Sequence, residues 1–235
     1  DGSLAFISLF FITKYLSPEA YGTVSFAMGF AGLFSIITKL GLDTTHIKKI
    51  SEGKDEKKCN GTFFSIKLVL TALFIAVVLS SMFIWKNIFG RGFETSTHEL
   101  AIYIMILYWV MMTFSGMIAK TFRAKKEIAI SQTGLLFGSI VRVSFILFVA
   151  LNSLGTLALA LAYFAGEFAH TIINLILFKR RKHKISKPST NYALEYCHFA
   201  FPLAIVVAST LIIKNADKVI IQLFWSASDV GYYTA

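Results

Sequence analysis

The sequence predicts an all-α integral membrane protein, and three observations carry that prediction. Hydrophobic residues make up 56% of the 235 positions and charged residues only 15%, with a mean hydropathy of +0.67. Soluble domains average about 45–50% apolar and about 25% charged, so the chain departs from them on both axes. The apolar residues are gathered in runs near the roughly 20 residues that a spanning helix needs, where a membrane barrel shows short alternating segments. Finally, most cations fall between these runs rather than inside them. Disorder is excluded because it requires low hydrophobicity, and three prolines without a glycine period exclude a collagen-like chain.

In chain order, complete spans are expected over 22–40, 61–85, 99–119, 129–151, 155–178 and 197–223. The opening run from Ser3 to Thr13 rises only about 16 Å at 1.5 Å per residue, and Val230 to Ala235 only begins another segment. The expectation is a piece of a longer, transporter-sized protein.

Loop charge sets the expected orientation. One set of loops holds Lys39, Lys48, Lys49, Lys54, Lys57 and Lys58, then Lys120, Arg123, Lys125 and Lys126, then Lys179, Arg180, Arg181, Lys182, Lys184 and Lys187. The alternate set holds Lys14, Lys86 and Arg91. Sixteen cations against three place the first set on the cytoplasmic side of a cell membrane. The net charge of +10 is thereby assigned to topology and to attraction for anionic membrane lipids, not to nucleic acid. Lys67, Arg142, Lys214 and Lys218 remain, in or near apolar spans. Asn60-Gly61-Thr62 matches a glycosylation sequon, but its place on the basic side against a helix start argues against a glycan. The two cysteines, Cys59 and Cys197, give no metal-ligand spacing and no disulfide framework, and no cofactor is expected.

Two segments repeat. Tyr15-Leu16-Ser17-Pro18-Glu19-Ala20-Tyr21-Gly22 aligns with Phe224-Trp225-Ser226-Ala227-Ser228-Asp229-Val230-Gly231 at an offset of 209 residues. Both follow an apolar run on the same side, so a duplicated six-helix lobe is expected, with 1–194 as the first lobe and 195–235 as the start of the second. Parallel repeats of this kind place a substrate cavity between lobes.

The first of these segments resembles the loop after helix one of polysaccharide flippases, the oligosaccharide-lipid exporters of the MOP superfamily. Gly41-Leu42-Asp43 followed by the basic stretch His46 to Lys58 resembles that family's segment after helix two. Asn215-Ala216-Asp217-Lys218 with Val230-Gly231-Tyr232-Tyr233 resembles its helix-seven region. The resemblance implies a MOP-type two-lobe transporter fold and transfer of a polyprenyl-diphosphate-linked oligosaccharide between leaflets. Such a lipid-linked oligosaccharide is then the expected partner, with glycan-assembly enzymes as further candidates, and no enzymatic activity is expected of the chain itself.

Ionisable residues at mid-membrane cost about 2.5–3.5 kcal/mol on translocon scales and so face cavities or partners. Arg142 follows Gly134 and Gly138 at steps of four, and the next span offers Ala158, Ala162, Gly166, His170 and Asn174 at the same step, beside Glu167. Two small-residue ridges joined by a short turn predict a tight antiparallel hairpin. Arg142 and Glu167 lie at nearly equal depth, so they form a candidate buried ion pair. That pair either neutralises itself and fixes the hairpin or presents Arg142 to a diphosphate, which a guanidinium fork suits. His170 reads as a packed histidine, with a proton-relay role as the alternative.

Lys67 is about two turns from the end of its helix and is expected to snorkel, with a cavity role as the alternative. Lys39 and Asp43, one turn apart, could gate or line the cytoplasmic mouth, with ordinary interfacial placement as the alternative. Asp217 and Lys218, with Lys214 and Asn215, are too polar for a lipid-facing surface, so a cavity or lobe-contact role is expected. Trp85 and Trp225 suit interfacial belts. Two rival functions remain: a cation-coupled multidrug exporter, which predicts an acidic cavity lining, and a membrane glycosyl- or acyltransferase, which requires a carboxylate or histidine constellation at a membrane face.

Overall fold

A computed structural model describes residues 2–87, 93 and 95–235; Arg91 and Glu94 lie outside the described residues. Among the described residues ten helices follow one another: α1 (Gly2–Tyr15), α2 (Pro18–Phe34), α3 (Ile36–Lys39), α4 (Leu42–Ser51), α5 (Glu56–Asn87), α6 (Ser96–Ala124), α7 (Ile128–Leu151), α8 (Thr156–Arg180), α9 (Thr190–Phe224) and α10 (Ala227–Thr234). Helices α5 to α9 are each long and apolar enough to cross a membrane, and α2 with its continuation through α4, bent by 45°, is long and apolar enough only as a pair, giving five to six membrane-length segments among the described residues. The protein is an all-α integral membrane protein. The helices extend past the apolar runs into segments rich in Lys and polar residues.

The first expected span, 22–40, is not one straight helix. Ser35 Oγ donates to the Gly32 carbonyl at 2.7 Å and Thr38 Oγ1 donates to the Ser35 carbonyl at 2.9 Å. Hydroxyls that bond back onto the preceding turn bend a helix. Leu40 and Gly41 then take φ of +36° and +73°, which swings α4 away from the α2 axis. Gly41 is required twice over: its φ is left-handed, where glycine carries no steric penalty, and an added Cβ would stand 2.6 Å from Leu203 Cβ of α9.

The α7–α8 hairpin is as tight as its small-residue ridges predict. A Cβ on Gly138 would lie 2.6 Å from His170 Cβ and 2.7 Å from the Gly166 carbonyl, and one on Gly134 would collide with Asn174 Oδ1. The repeated segments also meet. Ser17 accepts from the Ala20 amide and Ser226 from the Asp229 amide, the same N-cap at the same offset. A Cβ on Gly22 would run into the Ala227 carbonyl, and one on Gly231 into the Pro18 carbonyl. Since Ala227 and Gly231 are the repeat equivalents of Pro18 and Gly22, the contact is reciprocal, as across a two-fold axis.

The main core is built from α2, α5, α6, α7 and α8, with Phe26, Phe74, Met105 and Ile146 essentially inaccessible. Trp85 packs against this core: it stacks on Phe93 at 6.2 Å and meets Phe30 edge to face at 5.8 Å.

The three basic segments converge at one end of the bundle. His183, in the connector between α8 and α9, lies 2.6 Å from Glu56 of α5 and 3.1 Å from Glu127 at the start of α7. The connector is further tied to α5, since Asn60 Nδ2 donates to the Lys184 carbonyl at 3.0 Å and the Ser186 amide donates to the Lys57 carbonyl at 3.1 Å. Asn60 is inaccessible and its amide is committed to these bonds.

A valine at Gly166 would place its Cβ 2.5 Å from Arg142 Cβ and 2.9 Å from the Gly138 carbonyl, forcing α7 and α8 apart. Overpacking of this kind costs about 1–3 kcal/mol. Gly166→Val is therefore expected to lower the thermal midpoint in detergent, whereas Gly116→Ala, with nothing within 4 Å of the added methyl, leaves it unchanged or raises it.

Candidate functional site

The break between α2 and α4 creates a polar pocket inside the bundle. It is a cavity of about 150 Å³ lined by Thr38 and Lys39 of α3, Asp43 of α4, Lys67 of α5, and Trp109, Thr113, Gly116 and Lys120 of α6. The α6 contributors recur at helical spacing, which puts them on one face.

Asp43 organises the pocket. Its Oδ1 lies 2.6 Å from Lys67 Nζ and its Oδ2 lies 3.5 Å from Lys120 Nζ, so one carboxylate serves two cations. Lys67 also donates to the Thr38 carbonyl, one of the backbone groups freed at the helix break. Its side chain is only 4% exposed. The expectation that Lys67 snorkels is thus corrected: burial beside a carboxylate and a free carbonyl outweighs the cost of leaving the interface. The residue lies on the buried stripe of α5 that also carries Phe63, Thr71, Phe74, Val78 and Met82, a signal present in the sequence.

Lys39 differs from its neighbours. Its ammonium lies over the Trp109 ring at 5.3 Å, a cation–π contact, and no carboxylate pairs with it within 4 Å among the described residues. Trp109 is held in place by its own indole N–H, which donates to the Met28 carbonyl at 3.2 Å. Lys214 of α9 is exposed and within electrostatic reach of Lys39. Lys120, counted above among the cations that set topology, is a pocket residue.

Below Asp43 on the same short helix, His46 is inaccessible and fully bonded. Its Nδ1 is 2.8 Å from Tyr196 Oη of α9 and its Nε2 is 3.0 Å from Thr121 Oγ1 of α6, while Thr121 donates to Asn60 Oδ1 at 3.1 Å. The ring also stacks on Phe63 at 4.0 Å. This chain of bonds fixes the helix that carries Asp43. Sequence reasoning passed over His46 as part of a basic stretch; its place three residues after Asp43, flanked by apolar and hydroxyl residues, was the available sign. Nearby, Glu195 of α9 pairs with Lys49 and Lys54, each at 2.9 Å, and the hydrogen bond to Glu195 raises the Lys54 ammonium above its ordinary value.

The other predicted site residues do not line this pocket. Glu167 and Arg142 form no ion pair with each other among the described residues. Glu167 instead accepts from Ser115 Oγ of α6 and from His170 Nδ1 at 2.9 Å. The reason is azimuth: Glu167 stands about 100° around the helix from Gly166, so it faces α6 while Gly166 faces Arg142. Arg142 is half-buried and lies within electrostatic reach of Tyr108 and Tyr163. His170 is packed as well as bonded, its Nε2 lying 3.1 Å from Asn174 Nδ2, which also donates to the Ser115 carbonyl. Asn174 Oδ1 is buried, has no hydrogen-bond donor among the described residues and abuts the Gly134 backbone.

On α9, Asp217 Oδ2 accepts from Tyr233 Oη of α10 at 2.6 Å, and Lys218 packs its stem against Gly29 of α2, where an added Cβ would lie 3.1 Å from Lys218 Cβ. Asp217 and Lys218 thus join α9 to α10 and α2 rather than to the lysine pocket.

The model of the polysaccharide biosynthesis protein family matches residues 2–235. No curated protein and no solved structure matches the chain. With essentially its whole length inside that match, this multi-pass membrane protein belongs to the polysaccharide biosynthesis protein family.

Proposed function

We propose that the chain forms the first lobe and the start of the second lobe of a transporter that flips a polyprenyl-diphosphate-linked oligosaccharide from the cytoplasmic to the outer leaflet by alternating access. The observation that carries this reading is the charge balance of the pocket. Lys39, Lys67 and Lys120 face a single carboxylate, Asp43, which leaves two formal positive charges. A diphosphate diester carries two negative ones. The pocket volume of about 150 Å³ is below the roughly 300–1,000 Å³ of drug-sized sites, so it suits the phosphates while the glycan stays in a wider space outside.

In this reading the ion pairs exchange rather than break. Phosphate oxygens replace Asp43 at Lys120, the longer of its two contacts, and take up Lys39, which gives up only its contact with the Trp109 ring. Asp43 keeps Lys67, so no charge is stranded at low dielectric, which would cost several kcal/mol. No covalent bond forms or breaks. A cation-coupled exporter of the same superfamily would favour an acidic lining, and three lysines against one carboxylate favour an anionic cargo. The reciprocal packing of Pro18 and Gly22 with Ala227 and Gly231 supports the division into 1–194 and 195–235.

In proteoliposomes containing the full-length protein, Lys39→Gln should lower transport of a lipid-diphosphate-linked sugar about tenfold, the weight of one charge-assisted hydrogen bond, with the thermal midpoint unchanged. Undiminished transport would remove the pocket from the path.

The basic ends are assigned to the cytoplasm. In a Cys197→Ser background, Ser153→Cys, in the α7–α8 turn, should react with a membrane-impermeant maleimide on intact cells. Lys182→Cys should react only after permeabilisation, and the opposite pattern inverts the topology.

A further inference from the structure

A second cavity lies on the far side of α6. It encloses about 450 Å³ between α5, α6 and α8 and is lined by apolar side chains together with Thr171, whose hydroxyl is already spent on the Met111 carbonyl at 3.0 Å. On α6 the groove is formed by Met111, Phe114, Met117 and Ile118, whereas the lysine pocket uses Trp109, Met112, Thr113, Gly116 and Lys120, with no residue in common. At 100° per residue these sets point in nearly opposite directions. The groove is therefore separate from the pocket assigned to the cargo.

Its polar rim is specific. On α8 the groove residues Phe168, Ile172 and Leu175 are followed by Lys179 at the same helical phase. On α5, Phe64 and Leu68 are preceded by Lys57, again in phase. The third wall is Ile185 of the connector, 55% exposed although it lines the groove. It is held there by hydrogen bonds on either side, from Asn60 to the Lys184 carbonyl and from the Ser186 amide to the Lys57 carbonyl. Lys57, Lys179 and Lys184 are all exposed, and none has a carboxylate partner within 4 Å among the described residues. Lys179 thus stands one turn beyond the slot on α8, Lys57 about two turns beyond it on α5, and Lys184 next to Ile185 in the connector.

We propose that this groove is a binding site for an anionic phospholipid of the bilayer, with one acyl chain in the slot and the headgroup phosphate on Lys57, Lys179 and Lys184. Phe168 to Leu175 spans about 10 Å at 1.5 Å per residue, against roughly 15 Å of hydrocarbon in one leaflet. The slot therefore takes the headgroup-proximal part of one chain of ordinary length. The bound lipid covers Ile185 and offsets part of the positive charge of the rim, locking the connector against the α5–α6–α8 face. The site does not depend on the transport reading.

The test introduces Phe168→Trp at a position 46% exposed in the groove and reads quenching beyond that of the parent protein in vesicles doped with brominated lipid. Brominated phosphatidylglycerol should quench the new tryptophan at about tenfold lower mole fraction than brominated phosphatidylcholine, given the attraction of several lysines for one anion. Adding Lys57→Gln, Lys179→Gln and Lys184→Gln together should abolish the preference. Equal quenching by the two lipids overturns the proposal, as does a preference that survives the triple substitution. Relief of phosphatidylglycerol quenching by trace polyprenyl phosphate would also overturn it, assigning the groove to the cargo lipid.

Discussion

One carboxylate holds the interior of this bundle together. Lys39, Lys67 and Lys120 converge inside a helical membrane protein, where the repulsion of cations is weakly screened. Asp43 bridges two of them, and to reach that position it must leave the axis of α2. The hydroxyl back-bonding at Ser35 and Thr38, the left-handed Leu40 and Gly41, and the separate helix α4 are the backbone means of doing so. Removing Lys67 would leave Asp43 with only its longer contact, and breaking a buried pair in this way costs about 3–5 kcal/mol.

The bonds of His46 extend this constraint to the rest of the molecule. Asp43 and His46 share α4, and His46 reaches Tyr196 of α9 and, through Thr121, Asn60 of α5. Asn60 in turn holds the connector at Lys184. The geometry of the pocket is thereby tied to the first turns of α9, the helix that begins the proposed second lobe. The separate cluster of Ser115, Glu167, His170 and Asn174 performs a different task, fastening α8 to α6 by side-chain hydrogen bonds beside the apolar contact of Ile118 and Phe122 with Phe178.

The fold was legible in the sequence where a pattern is one-dimensional. Apolar runs gave the spans and the step-of-four glycines and alanines gave the α7–α8 crossing, whereas the matching helix caps at Ser17 and Ser226 emerge only from the structure. The site was less legible because it depends on azimuth and on backbone breaks. Depth along the helix put Arg142 level with Glu167, but the direction of each side chain separates them. Distance from the helix end made Lys67 a snorkelling residue, although its phase with Phe63, Thr71 and Phe74 places it inward. Lys120 was hidden among loop cations, since nothing in composition distinguishes a lysine that orients the chain from one that turns into the bundle. The bend at Ser35 is a tertiary choice, made where Asp43 needs to meet two lysines.

The central claim is that Asp43 competes with an incoming anion for the same lysines. The most direct measurement is the affinity of the purified protein for a short-chain prenyl diphosphate, compared between the parent and Asp43→Asn at fixed ionic strength. Loss of the competing carboxylate should tighten binding about tenfold or more, in line with an ion-pair contribution near the low end for partly buried charges. Unchanged or weaker binding by Asp43→Asn would contradict the account.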